Sequence, residues 1–261
     1  MGLFDKKYCD VCGEKIGLLG NRKLEDGNLC KDCAKKLSPW FSDRRHSTVA
    51  DIKAQLDYRE ANRAAVAAFH ITRALGATTR VLLDEDAGNF MVTTARNLAD
   101  ANPDVLRFSQ VTGCRVDVNE RREEQTRTDK DGNSVSYNPP RYTYFYDFTV
   151  IISVNSPYFD DISFMLNTCS IESPVPVGKG GYDAPRFGMR SGLGAVPVEY
   201  EECERLGEEI TAALTQLRED VRQAAADAAA PKAAVTCPWC GATTMPDASG
   251  KCEYCGGAVN G

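Results

Sequence analysis

Eight of the 11 cysteines stand in four Cys-x-x-Cys pairs, two near each end of the chain: Cys9/Cys12 with Cys30/Cys33, and Cys237/Cys240 with Cys252/Cys255. Two intervening residues let both sulfurs of a pair point at one ion, while backbone N–H groups of the turn donate to sulfur and spread its charge. Two such knuckles facing each other across a short loop supply four thiolates, the donor set of a closed tetrahedral site. Gly13, Gly241 and Gly256 each follow a knuckle directly, where a left-handed backbone angle is often wanted. The pattern predicts two bound metal ions. Zinc is the expected metal, with iron as the alternative, because rubredoxin-type sites use the same four sulfurs and the same Cys-x-x-Cys-Gly knuckle. Trp239 and Tyr254 lie inside the C-terminal knuckles, as aromatic residues can around iron, but no flavin or other redox-partner motif accompanies them.

A site with four sulfurs leaves no open position for water, so metal-assisted hydrolysis is not expected. Nucleophile-and-base catalysis is not expected either, because the only histidines are His46, at a module boundary, and His70, at a helix end. Cys114, Cys169 and Cys203 are an odd, scattered set, which argues against a disulfide framework and for a reducing compartment. The stretch Gly178-Lys179-Gly180-Gly181 lacks the Lys-Ser or Lys-Thr of a phosphate-binding loop. The acidic run Glu199, Glu201, Glu202 and Glu204 reads as the solvated side of a helix. No catalytic and no organic-cofactor residue is assigned, and the chain is expected not to be an enzyme.

At 261 residues the chain can hold one substantial domain plus small metal-clamped satellites, which need little hydrophobic core of their own. The formal net charge of -6 disfavours nucleic-acid binding through the overall field. Residues 1–46 are locally basic, ten Lys or Arg against seven Asp or Glu, with Lys35, Lys36, Arg44 and Arg45 as the nearest thing to a basic patch. No signal-peptide core or membrane-span-length apolar run is visible, so the expected location is cytoplasmic.

Five segments must position the cysteines. Residues 1–46 read as a first metal module, in which a hairpin over Arg22 to Leu29 carries the chain back to Cys30 and a helix over Lys31 to Leu37 stops at Ser38-Pro39. A knuckle, a hairpin and a helix bearing the last ligand make a treble-clef arrangement. Residues 47–76 read as a connecting helix with Ser47 or Thr48 as N-cap, packed only in part because Arg59, Asn62 and Arg63 interrupt its apolar stripe. Residues 77–221 read as an antiparallel β domain. Its clearest strand puts Tyr142, Tyr144, Tyr146, Phe148, Val150, Ile152 and Val154 on one face, which a helix starting near Val198 should cover. A Gly- and Pro-rich loop over 174–197 precedes that helix, an Ala-rich spacer over 222–236 follows it, and residues 237–261 form a zinc ribbon. The expected class is α+β.

The segment CDVCGEKIGLLGNRKLEDGNLCKDCAKKLSPWFSDRR resembles the N-terminal module of the bacterial domain-of-unknown-function family numbered 4428, through its GLLG, DGxLCKDC and KLSPWF elements as well as its cysteines. The resemblance implies metal binding by Cys9, Cys12, Cys30 and Cys33 and no activity. The last module resembles the small ribbons that end many bacterial proteins. In element order alone the middle region is similar to a pleckstrin-homology-like domain, an unrelated sheet with one covering helix being the even alternative. The expected function is that of a protein-interaction or scaffold module. Its rivals are nucleic-acid binding, binding to an anionic lipid surface and rubredoxin-like electron transfer.

Overall fold

Two antiparallel meanders meet the backbone hydrogen-bond demand of the middle of the chain. A computed structural model describes residues 7–177, 196–229, 234–245 and 250–259; the expectations for most of the loop over 174–197, including Lys179, and for the turn at 247–249 lie outside the described residues. The chain divides into two compact units, residues 1–218 and 219–261.

The larger unit begins with the first metal module. Two short hairpins, Lys7–Tyr8 with Lys15–Ile16 and Arg22–Lys23 with Asn28–Leu29, are followed by helix α1, Lys31–Ala34. Helix α2, Val49–Ala68, starts in a capping box: Thr48 Oγ1 accepts from Asp51 N at 3.2 Å while Asp51 Oδ2 accepts from Thr48 N at 2.9 Å. The metal module adds a further cap, since Asp26 Oδ1 accepts from Val49 N at 2.7 Å. Gly27 makes the approach feasible, because a Cβ there would stand 2.6 Å from a Val49 methyl group. Ile52 of α2 shares one apolar cluster with Cys9, Leu24, Leu29, Cys33 and Leu37, so the core of the metal module continues past residue 46 into the helix.

The interruptions in the apolar stripe of α2 are its interior. Ile52, Gln55, Arg59, Asn62 and Val66, at helical spacing, are all buried, and only Arg63 of the three interrupting residues is solvent-facing. Arg59 Nη1 donates to Asp104 Oδ1 at 2.7 Å, and Ser38 Oγ donates to Asp104 Oδ2 at 2.7 Å. Asn62 donates to Asn102 Oδ1 at 2.8 Å and to the Pro103 carbonyl at 2.7 Å, and accepts from Val105 N at 2.9 Å. The helix therefore packs along its length, polar groups included. Its fit arises because the loop at 102–105 offers carbonyls and carboxylates that a purely apolar stripe could not satisfy.

The first sheet orders β1 (Arg73–Leu75), β2 (Arg80–Asp84), β3 (Asn89–Thr93) and β4 (Leu106–Arg107) as a meander. Residues 73–75, read from sequence as part of the connecting helix, are thus an edge strand; three residues are too few to display alternation. Val81, Leu82, Leu83, Phe90, Met91 and Val92 are buried at successive positions. Burial on both faces produces this continuous apolar run. A one-turn helix, α3 (Leu98–Ala101), interrupts the strands, capped by Asn97, whose Oδ1 accepts from Asp100 N, and ended by Asn102 at φ 47.

In the second sheet β5 (Val111–Glu124) pairs with β6 (Tyr142–Val154) along nearly its full length, and a short hairpin, Thr126–Thr128 with Ser134–Ser136, extends the pair at its tip. The other edge of β6 is shared by β7 (Asp161–Met165) and β8 (Ile171–Ser173), both antiparallel to it. Between them the side chain of Asn167 completes the ladder, accepting from Phe148 N at 2.8 Å and donating to the Tyr146 carbonyl at 3.2 Å. Tyr146, Phe148, Val150, Ile152 and Val154 are buried, as the period of two requires.

Helix α4, Val198–Ala229, covers that face. Tyr200 meets the Tyr146 and Phe148 rings edge-on at 5.1 and 4.8 Å, and Ile210 and Leu214 are fully buried. A Cβ at Gly207 would lie 2.7 Å from a Val116 methyl group, so glycine sets the closeness of helix to sheet. The two sheets and α2 also line one cavity of about 290 Å³, where Val92, Phe164, Arg59 and Trp40 face one another.

Replacing Arg59 by Ala leaves the Asp104 carboxylate buried without its cation, which costs about 3–5 kcal/mol for such pairs. Urea unfolding of the Arg59→Ala chain should show a loss of this size, whereas Arg63→Ala should be close to neutral.

Candidate metal centres

Each predicted set of cysteines converges on one point: Cys9, Cys12, Cys30 and Cys33 form one group and Cys237, Cys240, Cys252 and Cys255 another, with all four sulfurs of each group within 4.8 Å of one another. Adjacent sulfurs lie 3.7 Å apart for Cys12 and Cys30, 3.6 Å for Cys237 and Cys255, and 3.7 Å for Cys240 and Cys252. A tetrahedron of metal–sulfur bonds about 2.3 Å long has edges of about 3.8 Å. The donor set therefore fits a tetrathiolate metal ion at both ends of the chain.

Three of the four knuckles are built identically. Cys9 N donates to the Glu14 carbonyl and Gly13 N to the Cys9 carbonyl; Cys237 with Ala242 and Gly241, and Cys252 with Gly257 and Gly256, repeat the pattern at 2.8–2.9 Å. Gly13, Gly241 and Gly256 take φ of 77, 72 and 68, as their places after the knuckles predict. The fourth knuckle is different because it opens a helix: Cys30 is the N-cap of α1, its sulfur accepting from Cys33 N at 3.3 Å. Cys33 sits in the single turn of that helix and is buried, with its backbone N–H spent on the Cys30 sulfur.

The electrostatics of the thiols explain why a cation is needed. Burial pushes the Cys9 thiol up, but N–H groups of Cys12, Cys30 and Val11 aimed at its sulfur outweigh burial and bring it to about 6. Cys33 moves the other way: burial raises it, and the neighbouring sulfurs of Cys12 and Cys30 raise it further. At the other site, burial raises Cys252 but N–H groups of Cys255 and Tyr254 bring it to about 6. There Cys255 rises to about 12 despite a hydrogen bond from Gly257 N, as the sulfur of Cys240 and then burial oppose its charge. Each group ionises one thiol readily and resists the last. A divalent ion removes that resistance by replacing thiolate repulsion with attraction.

The second shells differ. The first centre is embedded in the apolar cluster that includes Ile52 of α2. The second has a small core of its own, Cys237, Cys252 and Val259, flanked by the pairing of Val235–Thr236 with Thr243–Thr244. Trp239 and Tyr254 are 75% and 72% exposed, so their aromatic faces lie outside the centre rather than around its sulfurs. The Trp239 indole N–H is held by the Ala258 carbonyl at 3.1 Å.

The residues set aside from catalysis are dispersed. His46 Nδ1 lies 2.6 Å from Asp43 Oδ1, and His70 Nδ1 lies 3.5 Å from Asp86 Oδ2, both at the surface. Burial raises the thiols of Cys114 and Cys203, with Glu202 and Glu199 adding to the second. Glu199, Glu201, Glu202 and Glu204 are exposed on α4. Lys35 pairs with Asp32 at 3.4 Å, away from the cluster that Arg44 and Arg45 form with Arg22 and Lys23. The contribution of Arg22 and Lys23 was not evident in the sequence, where about twenty residues separate them from Arg44. Among the described residues no helix is long and apolar enough to cross a membrane.

The lowered thiols give a signed pH dependence. Cys9 and Cys252 fall from an ordinary 9 to about 6, so their contribution is full above pH 9 and is lost as the pH falls through about 6. Acidification should release metal, with protons taking its place on sulfur; a chromogenic chelator titration should register two ions per chain at neutral pH and none at about pH 4. Cys252→Ser should remove one of the two ions while leaving urea unfolding of residues 7–218 unchanged.

Comparison of the chain with curated proteins and with solved structures returns no match. Residues 7–55 match the family described as Domain of unknown function (DUF4428), a stretch that runs from the first hairpin strand through Cys9, Cys12, Cys30 and Cys33 to the turn of α2 that closes the cluster around them.

Proposed function

We propose that this chain is a non-enzymatic zinc protein that acts as an interaction or scaffold module in the cytoplasm. The observation that carries the reading is the pairing of two closed four-sulfur centres, one in each compact unit of the chain. Four protein ligands per ion leave no position for substrate or water, so such centres serve as rigid supports for a surface rather than as reaction sites. Zinc is the metal of choice because the aromatic rings of Trp239 and Tyr254 stand outside the second centre and no redox partner group is encoded. The eight ligand thiols require a reducing compartment, which supports the location.

The arrangement of the first centre, a knuckle, a hairpin and a helix that supplies the last ligand, supports a treble-clef reading. Two antiparallel sheets followed by one covering helix support the pleckstrin-homology-like layout for the middle of the larger unit. The exposed side chains of Trp239, Tyr254 and Met245 on the terminal ribbon, and of Leu18 and Leu19 on the first module, are the proposed contacts. Trp40 and Phe41 are not among them: both are half-buried, and Phe41 packs on the cysteine cluster. A second centre on its own unit gives a partner two points of attachment, and joining them in one chain raises the effective concentration of each.

Elemental analysis of the untagged protein should give two zinc ions per chain and a colourless solution. Iron with thiolate charge-transfer bands would replace the scaffold reading by electron transfer. Partner capture with the full chain and with a chain ending at residue 230 tests the interaction itself: the partner should be held at least about tenfold more weakly by the shorter chain, and equal capture by both would remove the ribbon from the role.

A further inference from the structure

The first metal module carries a concavity of about 740 Å³, open to solvent, whose lining places Arg22 and Lys23 of one hairpin strand beside Arg44 and Arg45 of the turn that precedes α2. The two segments are brought together by the module's own hydrogen bonds: Arg44 Nη1 donates to the Lys23 carbonyl at 3.1 Å, and Glu25 N donates to the Ser47 carbonyl at 3.0 Å. Arg22 Nη1 reaches the carbonyls of Leu19 and Asn21 at 3.4 and 3.5 Å. Both guanidinium groups are thus steadied by neutral acceptors, which use one N–H group each and leave the charge uncompensated.

Several arginines elsewhere are matched with carboxylates, as in Arg59–Asp104, Arg73–Glu209 and Arg222–Glu219, while others stand singly on carbonyls or rings, as Arg80 does on the Ala95 carbonyl and Arg122 over the Tyr142 ring. Among the described residues none of the four cations in this concavity has a carboxylate partner. The nearby carboxylates have other tasks: Asp26 caps α2 and Asp43 bonds His46, which leaves Glu25 as the one acidic residue in the lining. Burial lowers Arg44, and the charges of Arg22 and Arg45 lower it further, the electrostatic sign of cations gathered without a counterion.

We propose that this concavity is an anion site that takes a chain of phosphate groups. Arginine forks match phosphate oxygens in pairs, and three arginines with one lysine across an opening this size suit several phosphates in succession rather than a single one. The lining holds no aromatic side chain on which a base could stack. Recognition therefore runs through the phosphates, without sequence preference, and a polynucleotide backbone and free polyphosphate share the chemistry. The site is local, lying on a chain of net charge -6, and it is separate from the interaction role proposed above.

The test is fluorescence anisotropy of a labelled oligo-dT of about 15 nucleotides with the metal-loaded full chain at about 50 mM salt, where phosphate contacts are strong. Lys23→Ala with Arg45→Ala, both exposed positions, should weaken binding about tenfold and flatten the salt dependence by about 1.4 in log–log slope, two single-strand phosphate contacts. Lys35→Ala with Lys36→Ala should stay within about twofold of the parent, and metal content should be unchanged in both. Displacement of the oligonucleotide by tripolyphosphate at matched phosphate identifies free polyphosphate as able to fill the site; failure to displace assigns it to the polynucleotide backbone. Absence of binding, equal loss in the two variants, or equal displacement by poly-glutamate at matched charge would overturn the proposal.

Discussion

One buried ion pair holds three parts of the larger unit in register. Asp104 comes from the loop between α3 and β4, Arg59 from the middle of α2, and Ser38 from the end of the first metal module; both carboxylate oxygens are occupied, each at 2.7 Å. Taking a guanidinium and a carboxylate out of water costs several kcal/mol per ion, and the pair is tolerable because its lone pairs and protons find partners. The Lys36 carbonyl accepts from Arg59 Nε at 3.4 Å, and Asn102 donates to the Arg59 carbonyl at 2.7 Å, so the joint binds main chain as well as side chains. Apolar contacts alone would allow α2 to slide by a turn on the sheet. Directional bonds at Arg59 and Asn62 do not.

The first metal centre is coupled to this joint through its packing. Cys9 and Cys33 share a cluster with Ile52, one turn before Gln55, whose Oε1 accepts from Ser38 N at 3.4 Å. Losing the ion would set the buried sulfurs against one another and loosen the cluster from which α2 starts. The second centre has only its own small core, built on two knuckles of the same backbone design. Equal ligand sets thus make unequal contributions: one centre is part of a larger core, the other is most of the stability its module has.

The cysteine spacing and the strong periodicities were legible in the sequence. Ligand convergence follows from two intervening residues per knuckle, the strand over Tyr142 to Val154 from its period of two, and the helix bearing Tyr200, Ile210 and Leu214 from its period near 3.6. Polar interior residues were not legible. Arg59 and Asn62 look like interruptions until the loop at 102–105 is placed against them, and no local signal in α2 announces that loop. The grouping of Arg22 and Lys23 with Arg44 and Arg45 is hidden for the same reason, since the charges become neighbours only when the hairpin and the turn before α2 are bonded to one another. The strand at 73–75 was too short to display a period at all.

Asn167 shows how little backbone a sheet edge needs. Its side-chain amide presents one acceptor to Phe148 N and one donor to the Tyr146 carbonyl, the same pair of functions that a peptide unit would offer at that rung. The main chain of residues 168–170 is thereby released from pairing with β6. The same amide also donates to the Cys169 carbonyl at 2.9 Å, and Ser170 Oγ donates to Asp147 Oδ1 of β6 at 2.8 Å, so the bend is clasped to the strand whose rungs it skips, and the spacing of β7 and β8 along β6 depends on a single asparagine side chain.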